Sequence, residues 1–68
     1  MDVKITLNGA SRTVPEGSTV AQLIRELELS PEQVAVELNR VVVRRALHED
    51  TQLGSNDVVE LVTLVGGG

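Results

Sequence analysis

The sequence predicts a two-layer α+β fold, with one amphipathic helix packed on a mixed sheet of four or five short strands. Three observations predict it. A single segment carries apolar residues at helical spacing: Val20, Leu23, Ile24 and Leu27 fall at i, i+3, i+4 and i+7. Several other segments are short, β-branched and alternating, and turn residues separate them. At 68 residues the chain allows one small domain.

The elements follow in chain order. Val3-Lys4-Ile5-Thr6-Leu7 alternates apolar and polar residues and reads as a half-buried strand. Asn8-Gly9 is a hairpin signal, because a type I′ turn needs positive φ at both central positions. The return strand covers about Ala10 to Val14, and Pro15-Glu16-Gly17 ends it. Thr19, with Gln22 three residues later, fits a capping box at the start of the helix, and Gln22, Arg25 and Glu26 fall on its wet side. Ser30-Pro31 resembles a second helix start with Ser as the cap, but the β-rich residues that follow limit it to one turn. Val34 to Leu38 alternates as a strand, Asn39-Arg40 turns the chain, and Val41-Val42-Val43 returns. A short helical turn is expected between Arg45 and Leu53, and Gly54-Ser55-Asn56-Asp57 is a dense turn cluster. The last strand, Val58 to Val65, runs into Gly66-Gly67-Gly68. The expected division is a folded domain over 1–65 and a tail over 66–68.

Composition excludes several functions. There is no cysteine and no aromatic residue, so disulfides, cysteine-metal sites and thiol catalysis are closed. Ten acidic residues against six basic give a net charge of −4, the wrong sign for nucleic acid, and no aromatic platform exists for single strands. No apolar run approaches the roughly 20 residues that span a bilayer. The first residues show neither the basic nor the apolar stretch of a signal peptide. The expectation is a cytoplasmic protein that binds neither membrane nor nucleic acid.

Side-chain catalysis finds little support. His48, the one histidine, lies in His48-Glu49-Asp50 and reads as surface. With Glu49, Asp50 or Asp57 it matches no metal-site spacing. Ser11, Ser18, Ser30 and Ser55 stand in turn or cap contexts. A domain this small is not expected to enclose a pocket of about 300 Å³. Arg44-Arg45, and the acidic set Glu26, Glu28, Glu32 and Glu37, read as solvated surface. The glycines are different. A strand ending in three glycines presents a carboxylate on an arm without side chains, able to take backbone angles closed to other residues and to thread a narrow channel. Activated by ATP as an acyl-adenylate, that carboxylate becomes an electrophile. The bland alternative is a frayed end.

Taken together, the segments resemble a family. Ile5-Thr6-Leu7-Asn8-Gly9, Pro15-Glu16-Gly17-Ser18-Thr19-Val20 with Leu23, Val34-Ala35-Val36-Glu37-Leu38-Asn39, Val42-Val43 with Arg45, and Asp57-Val58-Val59-Glu60 through Val65-Gly66-Gly67-Gly68 occur in the order of the ubiquitin-like β-grasp sulfur carriers, most closely the ThiS family. The resemblance covers essentially the whole chain. Three departures stand out: Asn39-Arg40 where such chains often have Asn-Gly, Arg44 in place of a proline, and Ser55-Asn56-Asp57 in place of Asp-Gly-Asp.

The resemblance implies a non-enzymatic carrier for thiamin biosynthesis. An E1-like, ThiF-type enzyme would adenylate the Gly68 carboxylate with ATP and magnesium, no cofactor being bound by the carrier itself. Sulfur from a donor such as a desulfurase persulfide would convert it to a thiocarboxylate, which a ThiG-type thiazole synthase would consume. Gly66 and Gly67 would thread the partners' active sites. By analogy with the fold, the last strand is central, and its outer face would present Val62 and Leu64, with Val42 and Arg45 nearby, as a docking patch. The alternatives are a carrier for molybdopterin synthase, a cysteine-forming synthase or tRNA thiolation, a ubiquitin-like modifier joined to lysines through Gly68, or an interaction module with an idle tail. The absence of phenylalanine disfavours the molybdopterin-type subunit.

Overall fold

The computed structural model describes residues 1–64, so the glycine tail and Val65 lie outside the described residues. Strands β1 (Asp2–Leu7) and β2 (Ala10–Pro15) form the first hairpin, in antiparallel register from Asp2 opposite Pro15 to Leu7 opposite Ala10. Asn8 and Gly9 take φ of 48° and 84°, the positive values that a type I′ turn requires.

Helix α1 (Val20–Glu26) starts at the expected capping box: the Gln22 N–H donates to Thr19 Oγ1, and the Thr19 N–H donates to Gln22 Oε1. Its end was not legible. The Glu28 N–H donates to the Arg25 carbonyl and the Leu29 N–H to the Ile24 carbonyl, a Schellman motif in which Glu28, at φ 59°, holds the position usually given to glycine. An L side chain in this left-handed region is strained. Replacing Glu28 with glycine is therefore expected to raise stability by about 0.5–1 kcal/mol, net of glycine's larger unfolded-state entropy, read as a higher urea midpoint.

A 3₁₀ turn (Pro31–Gln33) leads into β3 (Val34–Leu38), and Ser30 makes no side-chain capping bond there. The hairpin continues through Asn39-Arg40 to β4 (Val41–Val43). Arg40 takes φ of 70°, so the turn keeps its type I′ form despite lacking glycine. A second 3₁₀ turn (Arg45–Leu47) precedes the Gly54-to-Asp57 turn, where Asn56 takes φ of 71°. Strand β5 (Val58–Thr63) closes the sheet in the order β2-β1-β5-β3-β4.

Strand β5 lies at the centre of that five-stranded sheet, parallel to β1 and antiparallel to β3. Its Val59 and Leu61 point into the core with Ile5, Val14, Val34 and Val36, against Val20, Leu23 and Ile24 of α1. The core cluster, which also includes Leu53, is thus wholly aliphatic. No helix among the described residues is long and apolar enough to cross a membrane.

Candidate functional site

The residues predicted to carry the reaction, Gly66, Gly67 and Gly68, lie outside the described residues. What the structure describes is the platform leading to them. Strand β5 is fixed from both sides by asparagine side chains. On the β1 side, carbonyls at alternate positions accept in sequence: Asp57 from the Thr6 N–H and Val59 from the Asn8 N–H, both at 2.9 Å. The chain then turns away at Gly9. The Asn8 side chain continues the ladder: Nδ2 donates to the Leu61 carbonyl (3.1 Å), and Oδ1 accepts the Leu61 N–H (2.8 Å). On the β3 side, the Asn39 N–H donates to the Val58 carbonyl (2.7 Å), and Asn39 Oδ1 accepts the Val58 N–H (2.9 Å). Asn39 Nδ2 also donates to Asp57 Oδ1, whose other oxygen accepts the Gly54 N–H.

Both asparagines were legible only as turn formers; their side-chain role was missed. The available signal was asparagine at the first turn position twice, in hairpins on either side of the same strand. Asparagine combines tolerance of positive φ with an amide that mimics a backbone unit.

The predicted docking residues divide between two places. Pairing Ala35 with Val62 and Glu37 with both Val42 and Glu60 puts these residues on the face opposite α1. Val42 and Val62 are 67% and 59% exposed there, and alternation carries Leu64, also exposed, onto the same side. Val42 is set apart from the other two. Val42 and Val62 lie two strands and two residues apart, and Glu37 and Glu60 stand between them. Arg45 is elsewhere: it lines an open depression of about 470 Å³ with Ala21 and Arg25 of α1.

That depression also holds His48, which corrects its reading as a surface residue. His48 is 4% exposed. Its Nε2 lies 3.0 Å from the Val43 carbonyl, and its own carbonyl accepts the Ala21 N–H. It thus ties β4 to the start of α1. Polar neighbours in sequence concealed this, since Glu49 and Asp50 are exposed beside it.

A second depression, of about 490 Å³, lies between Leu7, Leu27, Leu29 and Leu61. Both are larger than the expected limit for so small a domain, but they are surface grooves rather than enclosed pockets. Among the described residues no group of three or more His, Asp or Glu side chains is placed to hold a metal ion. The ion pairs among these residues, Arg12–Glu26 at 3.0 Å and Arg25–Glu49 at 3.7 Å, are exposed and contribute little.

The central place of the last strand in the sheet is what the resemblance implies; the two asparagines that hold it are an addition from the structure. The family model described as the ThiS family matches residues 5–68. The chain belongs to the ThiS family. The fold agrees: the crystal structure of a thiamine biosynthesis protein (ThiS) from Geobacter metallireducens superposes with a TM-score of 0.82 at 35% identity, covering 97% of this chain and 100% of that one. A solution structure of a thiamine biosynthesis protein from the same organism gives 0.80 at 35% identity, covering 97% and 88%. The mixed five-stranded sheet on one helix is thus the β-grasp fold of ThiS proteins. Among curated relatives, a protein named thiazole synthase from Magnetococcus marinus is 39% identical over 66 residues, 97% of this chain. The chain spans only 20% of that relative's length. An uncharacterized protein, ycf40, of Pyropia yezoensis is 33% identical over 67 residues, 98% of this chain and 94% of its own.

Proposed function

We propose that this ThiS-family chain is a cytoplasmic sulfur carrier whose C-terminal carboxylate, on Gly68, delivers sulfur for the thiazole of thiamin. The observation that carries this reading is the family match, which runs through Gly68 and so includes the glycine tail. The thiazole synthase relative supports the acceptor, since one polypeptide bearing that name contains a segment similar to this chain.

The chemistry follows from the group available. A carboxylate is a poor electrophile, so an E1-like, ThiF-type partner uses ATP and magnesium to form the acyl-adenylate, releasing pyrophosphate. The terminal sulfur of a persulfide from a desulfurase attacks the acyl carbon and displaces AMP. Two electrons from a thiol then cleave the sulfur–sulfur bond and leave the thiocarboxylate. This group is anionic and nucleophilic at sulfur, and it is passed to a ThiG-type thiazole synthase. The carrier contributes no catalytic side chain. Gly66 and Gly67 supply an arm with no Cβ, able to enter a channel too narrow for side chains.

The test is intact-mass analysis after incubation with an E1-like adenylating enzyme, ATP, magnesium, a cysteine desulfurase and cysteine. One oxygen is expected to be replaced by sulfur on the peptide ending at Gly68. Absence of that exchange with enzymes active on their own carriers overturns the reading, and ladders of this chain on lysines identify a modifier instead. Supplying thiazole synthase or molybdopterin synthase to the charged protein shows which one consumes the thiocarboxylate; the former is expected.

A further inference from the structure

The sequence holds a single lysine, Lys4, and its other basic side chains, at positions 12, 25, 40, 44 and 45, are all arginines. Lys4 and the α-amine at Met1 are therefore its primary amines, and it has no cysteine. Both amines stand at one end of the sheet. Strands β1 and β5 run parallel with Thr6 opposite Val58, so Lys4 lies two residues short of that level. Met1 is held at the same end, where its carbonyl accepts the Glu16 N–H beyond β2. The glycines leave from the other end. From Val58 the chain runs six residues on to Leu64, whose N–H donates to the Gln33 carbonyl at 2.7 Å and so continues the ladder with the β3 side. At about 3.3 Å per residue, Leu64 stands roughly 25 Å beyond Lys4 along the strands, and further still from Met1.

An acyl-adenylate at Gly68 is open to attack by any amine it can meet. The amine nitrogen bonds to the acyl carbon, AMP leaves, the nitrogen loses a proton, and the chain closes on itself as an isopeptide lacking one water. Four residues follow Leu64, and fully extended they span at most about 14 Å. A lysine's four-carbon stem adds about 6 Å, so the combined reach stops short of Lys4. Other nucleophiles offer little. His48 is buried with Nε2 at the Val43 carbonyl, and a hydroxyl such as that of Thr63 is weak without an adjacent base. Arg44 and Arg45 follow Val43, which pairs with Val36 opposite Leu61, and so leave the sheet at the end where the glycines begin. A guanidinium stays protonated and cannot be acylated as an amine is. We propose that this segregation is a protective device: the activated end of the chain finds no amine of its own fold within reach, and the acyl group persists until a partner's sulfur takes it. This rests on the carrier reading and deepens it, since the placement of Lys4 and the choice of arginine at the tail end preserve the activated form.

The test gives the full chain a lysine at the tail end. Gln33→Lys puts an amine on the exposed residue whose carbonyl accepts the Leu64 N–H, and Arg44→Lys does so without changing the charge. Parent and variants are each prepared as a thioester of Gly68, which an amine opens in the same way with a thiol as the leaving group. Intact mass and peptide mapping then follow the species lighter than the free acid by one water. Both variants are expected to form it at least about tenfold faster than the parent, because only they bring an amine into reach, with Gly68 joined to the introduced amine. Cyclisation of the parent at Lys4 or Met1 as fast as in the variants overturns the proposal, and so does its absence from both variants. With the ThiF-type enzyme, ATP and magnesium but no sulfur donor, the parent is expected to release pyrophosphate and to return no cyclised chain; a cyclised parent there also overturns the proposal. Failure to release pyrophosphate overturns the carrier reading instead, and the thioester comparison, which needs no partner, still reports on reach.

Discussion

Replacing Ile24 with alanine is expected to leave a large fraction of the chain unfolded at room temperature. Ile24 is 0% exposed and stands on the buried side of α1. It belongs to the cluster that joins that helix to Ile5, Val36 and Val59 of the sheet. Truncating a buried isoleucine to alanine costs about 2–5 kcal/mol, because the lost transfer energy is joined by the cavity left behind. A domain of this length has only about 3–5 kcal/mol to lose. Nor can the surroundings close the gap. The chain has no aromatic residue, and the neighbouring valines and isoleucine are stiff at χ1. Urea titration followed by far-ultraviolet circular dichroism checks this: the folded baseline should be short or absent, whereas Ile24→Val should keep a cooperative transition at a cost of about 0.5–1.5 kcal/mol. A parent-like midpoint for Ile24→Ala would mean that α1 contributes less to the core than its burial indicates.

The sequence made most of this core legible because both periodicities survive intact. The helix stripe at Val20, Leu23 and Ile24 and the alternation of Val34, Val36, Val59 and Leu61 map directly onto buried positions. Thr19 and Gln22 were readable because a capping box is a local code. What failed to show depends on contacts distant in sequence. Glu28 ends α1 in the left-handed region without the glycine that would announce it. His48 is buried by a bond to the Val43 carbonyl and by α1, neither of which its neighbours Glu49 and Asp50 suggest. For the candidate site, outward Val42 and Val62 follow from alternation once the strands are known. The carboxylates between them, and the placement of Arg45 against α1, require the register and the path of the chain after β4.

Asn8 is where the hidden part of the design should have its largest measurable effect. Strand β1 pairs with β5 only from Thr6 opposite Val58 to Leu7 opposite Val59. Beyond that point the buried Leu61 would lack a partner on this side, and the Asn8 amide supplies both its donor and its acceptor. Removing the amide leaves a backbone N–H and a carbonyl at a buried residue, each costing about 1–3 kcal/mol unless water reaches it. Asn8→Gly isolates this effect, because glycine keeps the φ of 48° without strain. The expected loss is about 2–4 kcal/mol, with the Leu61 amide exchanging its hydrogen far faster than the Val36 amide of the neighbouring strand. Asn8→Ala should be worse by about 1 kcal/mol, since alanine also resists the left-handed turn. Asn8→Asp should fall between Asn8→Gly and the parent: Oδ1 still accepts from Leu61, but the donor to its carbonyl is gone. That ordering separates the ladder function from the turn function, because a residue that served only the turn would make Asn8→Gly nearly silent. If the order holds, the strand that leads to the glycines is anchored at Leu61 by a side chain 53 residues away in sequence. Leu61 would then be held on both sides, by Asn8 and by its place opposite Val36 of β3.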